Sequence, residues 1–175
     1  MTKVQKNEIA QNLIDILEKD VQITNETNKF VSNWILTCGN EKTKIYYDVW
    51  DIVLKNYLPK TKPVLFRSCS EIKNDGKIVS FTSCIEVANM FSQDKTNEYI
   101  IICDTKSTLL FEDEIYKVGE YKNTFFPLTD ILIKAKEGGG WGFSNRILNN
   151  YQGEKEYIMR INLENMYCVK CIKNE

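Results

Sequence analysis

The sequence has no histidine among its 175 residues and only three arginines, Arg67, Arg146 and Arg160, against 20 lysines. The missing imidazole removes whole chemistries. A Ser-His-Asp triad, a Cys-His dyad, an HExxH zinc site and an imidazole acid-base catalyst are all excluded. Any catalysis must rest on carboxylates, hydroxyls, Lys, Tyr or Cys. A strong charge of either sign is also lacking, since 23 basic and 24 acidic side chains leave a formal net charge of -1. That balance gives no electrostatic footprint for nucleic acid or an anionic membrane. Nor is there a run of 18 apolar residues, the minimum for a membrane-spanning helix.

What is present is enough for one domain with a sizeable core: 43% of the residues are hydrophobic and 27% charged. The start, MTKVQKNEIAQNLIDILEKD, carries charges inside its apolar stretch and reads as an amphipathic helix rather than a signal peptide. Six cysteines at 38, 69, 84, 103, 168 and 171 lack a tight framework spacing, so a reduced cytoplasmic protein is expected. The pair Cys168-Val-Lys-Cys171 ends the chain instead of opening a helix after a strand, and no second pair accompanies it. These are read as structural thiols, and no metal site is expected.

Residues 1–58 read as helical. Ile9, Leu13, Ile14, Ile16 and Leu17 fall on one face, as do Phe30, Val31, Trp34 and Ile35. After Gly39-Asn40, the apolar residues Tyr46, Val49, Trp50, Val53, Leu54 and Tyr57 recur at three and four, and Pro59 and Pro63 close that helix. From 60 onward the character changes. PVLFRSC, KIVSFT, EYIIICDT, YIMRI and MYCVKCI read as strands, while IEVANMF has the spacing of a short helix with Ile85, Ala88 and Phe91 inward. Within 105–153 stand a possible hairpin (LLFEDEIYKV), a short apolar stretch (LTDILIKAK) and a glycine run at 138–142 that predicts a mobile loop. Helices first and strands after predict a single α+β domain.

Three features carry possible chemistry. Arg67 closes the strand VLFRS, Ser80 and Thr82 end the next at i and i+2, and Glu154 and Glu156 stand where a loop enters a strand. A strand's period of two would place both members of each pair on one face. Each feature alone is common on solvated sheet surfaces. Their joint order, in LFRS, SFTSCIEVANMF and GEKEYIM, resembles the Arg-Ser-Glu branch of the ADP-ribosyltransferase superfamily over residues 60–175. The middle segment is the most specific, with Val87-Ala88 and Phe91 following the Ser-x-Thr. Absence of histidine disfavours the branch that uses His-Tyr-Glu.

The resemblance implies a split β-sandwich behind the N-terminal helices, and NAD as substrate. Glu156 would stabilise the oxocarbenium-like ribose, Arg67 would bind the diphosphate, Ser80 would fix Glu156, and Thr82 would support the strand. Glu154 would orient and deprotonate an arginine acceptor, and Tyr151 would belong to an acceptor-recognition loop. The glycine run with Trp141 and Phe143 either belongs to that loop or is a disordered connector. A second pair, Glu112 and Glu114, is the alternative to Glu154 and Glu156, which are preferred because a closing strand follows them. The implied protein is a monomeric mono-ADP-ribosyltransferase of the phage or toxin type acting in a host cytoplasm. Its acceptor would be a host protein, of the transcription or translation machinery, rather than nucleic acid or membrane. NAD glycohydrolase and a catalytically silent interaction module are the rival functions.

Overall fold

The computed structural model describes residues 1–92, 99–106 and 124–171. Three helices come first: α1 (Lys3–Lys19), α2 (Asn25–Leu36) and α3 (Lys44–Asn56). Thr2 starts α1 through a capping box with Gln5, and Thr24 caps α2 by accepting from the Thr27 amide. Most of the apolar stripes read from the sequence are buried, with Leu17, Ile35 and Tyr46 partly so. Leu13, Ile16, Val31, Trp34, Trp50 and Val53 are each at most 1% exposed.

Strands follow at β1 (Val64–Cys69), β2 (Ile78–Thr82) and β3 (Tyr99–Asp104), with α4 (Ile85–Ser92) between the last two. Next come β4 (Phe125–Pro127), α5 (Leu128–Glu137), β5 (Glu156–Arg160) and β6 (Tyr167–Lys170). All pairings are antiparallel, in the order β4-β5-β2-β1-β3-β6. Mixed α+β architecture, helices before strands, is therefore the observed class.

The sheet has a seam. β1 joins β2 through one residue pair, Phe66 with Thr82, whereas β1 pairs with β3 along six positions and β2 with β5 along five. On either side of that seam lie three-stranded halves, β4-β5-β2 and β1-β3-β6. One buried cluster draws on both halves, with Val79, Phe81, Phe125 and Met159 from the first and Leu65, Ile101 and Cys103 from the second. The opposite face of the β4-β5-β2 half presents Ile78, Phe126 and Ile158 to the helices, in a second and larger cluster.

Two readings need correction. Phe91 is not on the inner face of α4: it is 54% exposed, and Ala88 alone of the three is fully buried there. The helix is eight residues long, and Met90 and Phe91 near its end are both exposed. The glycine run is not a free loop. Gly139, Gly140, Trp141 and Gly142 all have positive φ and form tight turns folded onto the helical layer. The Trp141 carbonyl accepts from Asn28 Nδ2 of α2, and Phe143 is buried. The possible hairpin of LLFEDEIYKV and the Glu112/Glu114 pair lie outside the described residues.

Candidate functional site

At the seam the structure opens a cleft of about 590 Å³, and Arg67, Ser80, Thr82, Tyr151, Glu154 and Glu156 all line it. The strand registers explain the convergence. Ser80 lies opposite Ile158 and Thr82 opposite Glu156, so these side chains share the helix-facing side of the sheet with Ile78. Along that face apolar residues give way to polar ones at the cleft, which Trp34 and Ile35 of α2 also line.

Glu156 is fixed at three points. Its backbone amide donates to Thr129 Oγ1 of α5 at 2.6 Å. Ser80 Oγ donates to Glu156 Oε1 at 2.5 Å, and Trp34 Nε1 donates to the same oxygen at 3.2 Å. Oε2 has no protein donor among the described residues. One oxygen is thus locked by two donors.

Arg67 sits across the seam. Its Nη1 donates to the Ser80 carbonyl at 2.7 Å, just where pairing between β1 and β2 has stopped. Burial pulls the guanidinium's pKa below its ordinary value, opposed by the charges of Cys69 and Glu156. No carboxylate lies within ion-pair distance of Arg67 among the described residues. Ser68 Oγ, on the same cleft wall, is buried without a hydrogen-bond partner among them.

Glu154 differs from the sequence expectation in its backbone. β5 begins at Glu156, while Glu154 ends a 3₁₀ turn and Lys155 between them is left-handed at φ 47°. Strand periodicity therefore does not put the two glutamates together; a kink does, at about 1–2 kcal/mol for a non-glycine residue. Thr82 holds that kink, donating from Oγ1 to the Glu154 carbonyl at 2.7 Å and accepting from the Cys84 amide at 3.0 Å. Ser83 adds a backbone bond to the Lys155 carbonyl. Burial, and secondly the charge of Glu156, push the Glu154 carboxyl up to about 7.

Tyr151 closes a π-helical turn, Ile147–Tyr151, whose Ile147 and Leu148 are buried, so the ring is carried by a packed element. Trp141 and Phe143 do not line the cleft. Of the other arginines, Arg160 ion-pairs with Asp51 and donates to the Gly76 carbonyl at 2.6 Å, and Arg146 is exposed.

Trp34, Lys42 and Ser68 line the cleft and were not anticipated as functional. Trp34 carried a signal only for the core, being 1% exposed on the inner stripe of α2. Lys42, in the turn before α3, sits with Nζ 3.5 Å from the Trp34 ring centroid, and no local pattern marks it among 20 lysines. Cys168 and Cys171 are not bridged, and no group of three or more potential ligands is arranged to hold a metal among the described residues. No helix among those residues is long and apolar enough to cross a membrane.

No family model, no curated protein and no solved structure matches this chain.

Proposed function

We propose that this protein is a mono-ADP-ribosyltransferase that cleaves NAD at the nicotinamide–ribose bond and passes ADP-ribose to an arginine side chain of a protein. The observation that carries the reading is the Ser80–Glu156–Trp34 hydrogen-bond arrangement, which fixes a carboxylate in the same cleft as Arg67 and Glu154. The two three-stranded halves sharing one core support the finer fold reading, a split β-sandwich of the ADP-ribosyltransferase type.

NAD supplies a nicotinamide that departs from the ribose carbon with the bonding electron pair. Glu156 stabilises the positive charge left on the ribose, and its Oε2 can accept from a ribose hydroxyl. Ser80 and Trp34 hold Oε1 so that the carboxylate does not reorient as charge develops. Arg67 keeps donors beyond the one spent on Ser80, and its planar fork suits the diphosphate oxygens. Glu154 takes a proton from the attacking guanidinium nitrogen as the new carbon–nitrogen bond forms. A carboxyl near 7 is matched to that role at neutral pH. Tyr151 stands beside the pair to contact the acceptor. The working setting is a host cytoplasm, with a protein of the transcription or translation machinery as acceptor.

Labelled NAD incubated with a bacterial lysate, and separately with a free guanidino compound, tests the reading. Glu156→Ala should abolish both transfer and nicotinamide release. Glu154→Ala should lose transfer and keep some hydrolysis. Wild-type transfer by Glu156→Ala would overturn the site, and Glu114→Ala would then be measured. A wild-type protein that releases nicotinamide without ever labelling an acceptor would be a glycohydrolase.

A further inference from the structure

Lys42 stands out by what it is not paired with. Among the described lysines only Lys6, Lys42 and Lys134 are partly buried, and Lys6 and Lys134 each hold a carboxylate within ion-pair distance. Lys42 is half-buried on the cleft wall, with Nζ over the face of Trp34, 3.5 Å from the ring centroid. No carboxylate comes within ion-pair distance of it among the described residues. The same indole donates from its edge to Glu156, so one ring positions an ammonium on its face and a carboxylate at its rim.

Arg67 shares the cleft and likewise has no carboxylate within ion-pair distance among the described residues. Two partly desolvated cations therefore line one cavity. Burial lowers the Lys42 pKa most, Glu156 opposes that, and Arg67 adds to it, which places all three groups within electrostatic reach of one another. Glu156 offsets part of the repulsion between these like charges, and an anion entering between the two cations would offset the rest. A single carboxylate would satisfy one cation. A diphosphate carries two linked anionic groups and answers both, and the buried Ser68 hydroxyl, without a partner among the described residues, offers one further donor.

We infer that Lys42, held on the face of Trp34, is a second anion-binding residue of the cleft and takes one phosphate of a diphosphate-bearing nucleotide opposite Arg67. The inference rests on the NAD reading for the identity of the nucleotide, but the anion contact itself does not. The helical layer thereby supplies a binding group to a site whose other members come from the sheet. The turn before α3 becomes part of the ligand's enclosure.

The test is calorimetric titration of ADP, with adenosine as the uncharged control, into wild type, Lys42→Met, Lys42→Gln and Lys42→Arg, alongside steady-state NAD cleavage. Lys42→Met and Lys42→Gln should each weaken ADP about tenfold, a usual loss for one charged hydrogen bond. They should raise the KM for NAD by a similar factor and leave kcat within about twofold, because the contact exists before and during reaction. Lys42→Arg should recover most of the affinity, and adenosine should not distinguish the variants. Equal ADP affinity in wild type and both neutral variants overturns the inference, even if NAD is cleaved. Lys42-dependent ADP binding without NAD cleavage upholds it and overturns the transferase reading alone. Failure of wild type to bind ADP overturns the anion site outright.

Discussion

Transfer should switch on between pH 6 and pH 8, because Glu154 titrates in that window. Burial first, and the charge of Glu156 second, hold its carboxyl at about 7. A base with that pKa is ionised to about 9% at pH 6 and about 91% at pH 8, so a rate proportional to its ionised fraction rises roughly tenfold. An ordinary glutamate would be ionised throughout and give no such limb. The assay is initial-rate labelling of a guanidino acceptor from pH 5.5 to 8.5, with nicotinamide release followed in parallel without acceptor. Transfer should inflect near 7, and the acceptor-free release should lack that limb. Glu154→Gln should lose both transfer and the limb. Stability carries the same signature with a definite sign. Between the ordinary value of 4.5 and about 7 the folded chain binds more protons at this site than the unfolded chain, so stability falls as pH rises through that window. Glu154→Gln should therefore gain on wild type in urea unfolding at pH 8 relative to pH 5, by an amount trimmed because the group is partly solvated. A flat wild-type transfer profile from pH 6 to 8, or an inflection that survives in Glu154→Gln, would refute the assignment of the base.

Trp34→Phe keeps a ring beneath Lys42 but removes the donor to Glu156 Oε1; kcat should fall about tenfold while KM changes little, and an equal loss in both would point to simple disruption. Thr129→Val leaves the Glu156 amide without its acceptor and should cost about 1–3 kcal/mol in urea unfolding, with an unchanged midpoint counting against the anchoring role. Gly138→Ala would place a Cβ 2.2 Å from Trp141 Nε1 and 3.2 Å from the Lys134 carbonyl, an overpacking worth about 1–3 kcal/mol. Gly153→Ala meets open space and should leave the unfolding midpoint nearly unmoved, which makes it the control.

The helices were legible because each exposes one face, so burial writes a period of three and four into α1, α2 and α3. The β-branched runs at 64–69, 78–82 and 99–104 were legible for the corresponding reason. β4 and α5 were not. Residues 124–129 are all buried, on both sides of the chain, so the apolar run carries no period, and Pro127 interrupts it. The glycine run misled because composition cannot separate a mobile loop from one whose glycines serve successive left-handed turns. At the site, the residue types at 67, 80, 82, 154 and 156 were readable, but the means of bringing the glutamates together was not. A left-handed Lys155 leaves no mark in sequence. Trp34 was visible only as core, since a buried indole in a helical stripe is indistinguishable from one that also spends its N–H on a carboxylate.

That double use of Trp34 changes where the site begins. Residues 60–175 contain every group suggested by motif order, and a chain cut at residue 60 would keep Arg67, Ser80, Glu154 and Glu156. It would lose the Nε1 donor on Glu156, the ammonium on the indole face, and the cover over Ile78, Phe126 and Ile158. The cleft exists because pairing between β1 and β2 stops after Phe66 and Thr82, leaving a backbone carbonyl that Arg67 takes and a gap that strands alone would not roof. α2 and the turn before α3 roof it. The helical layer is thus as much a part of the site as the sheet, and the short motifs mark only the half of it that strands can supply.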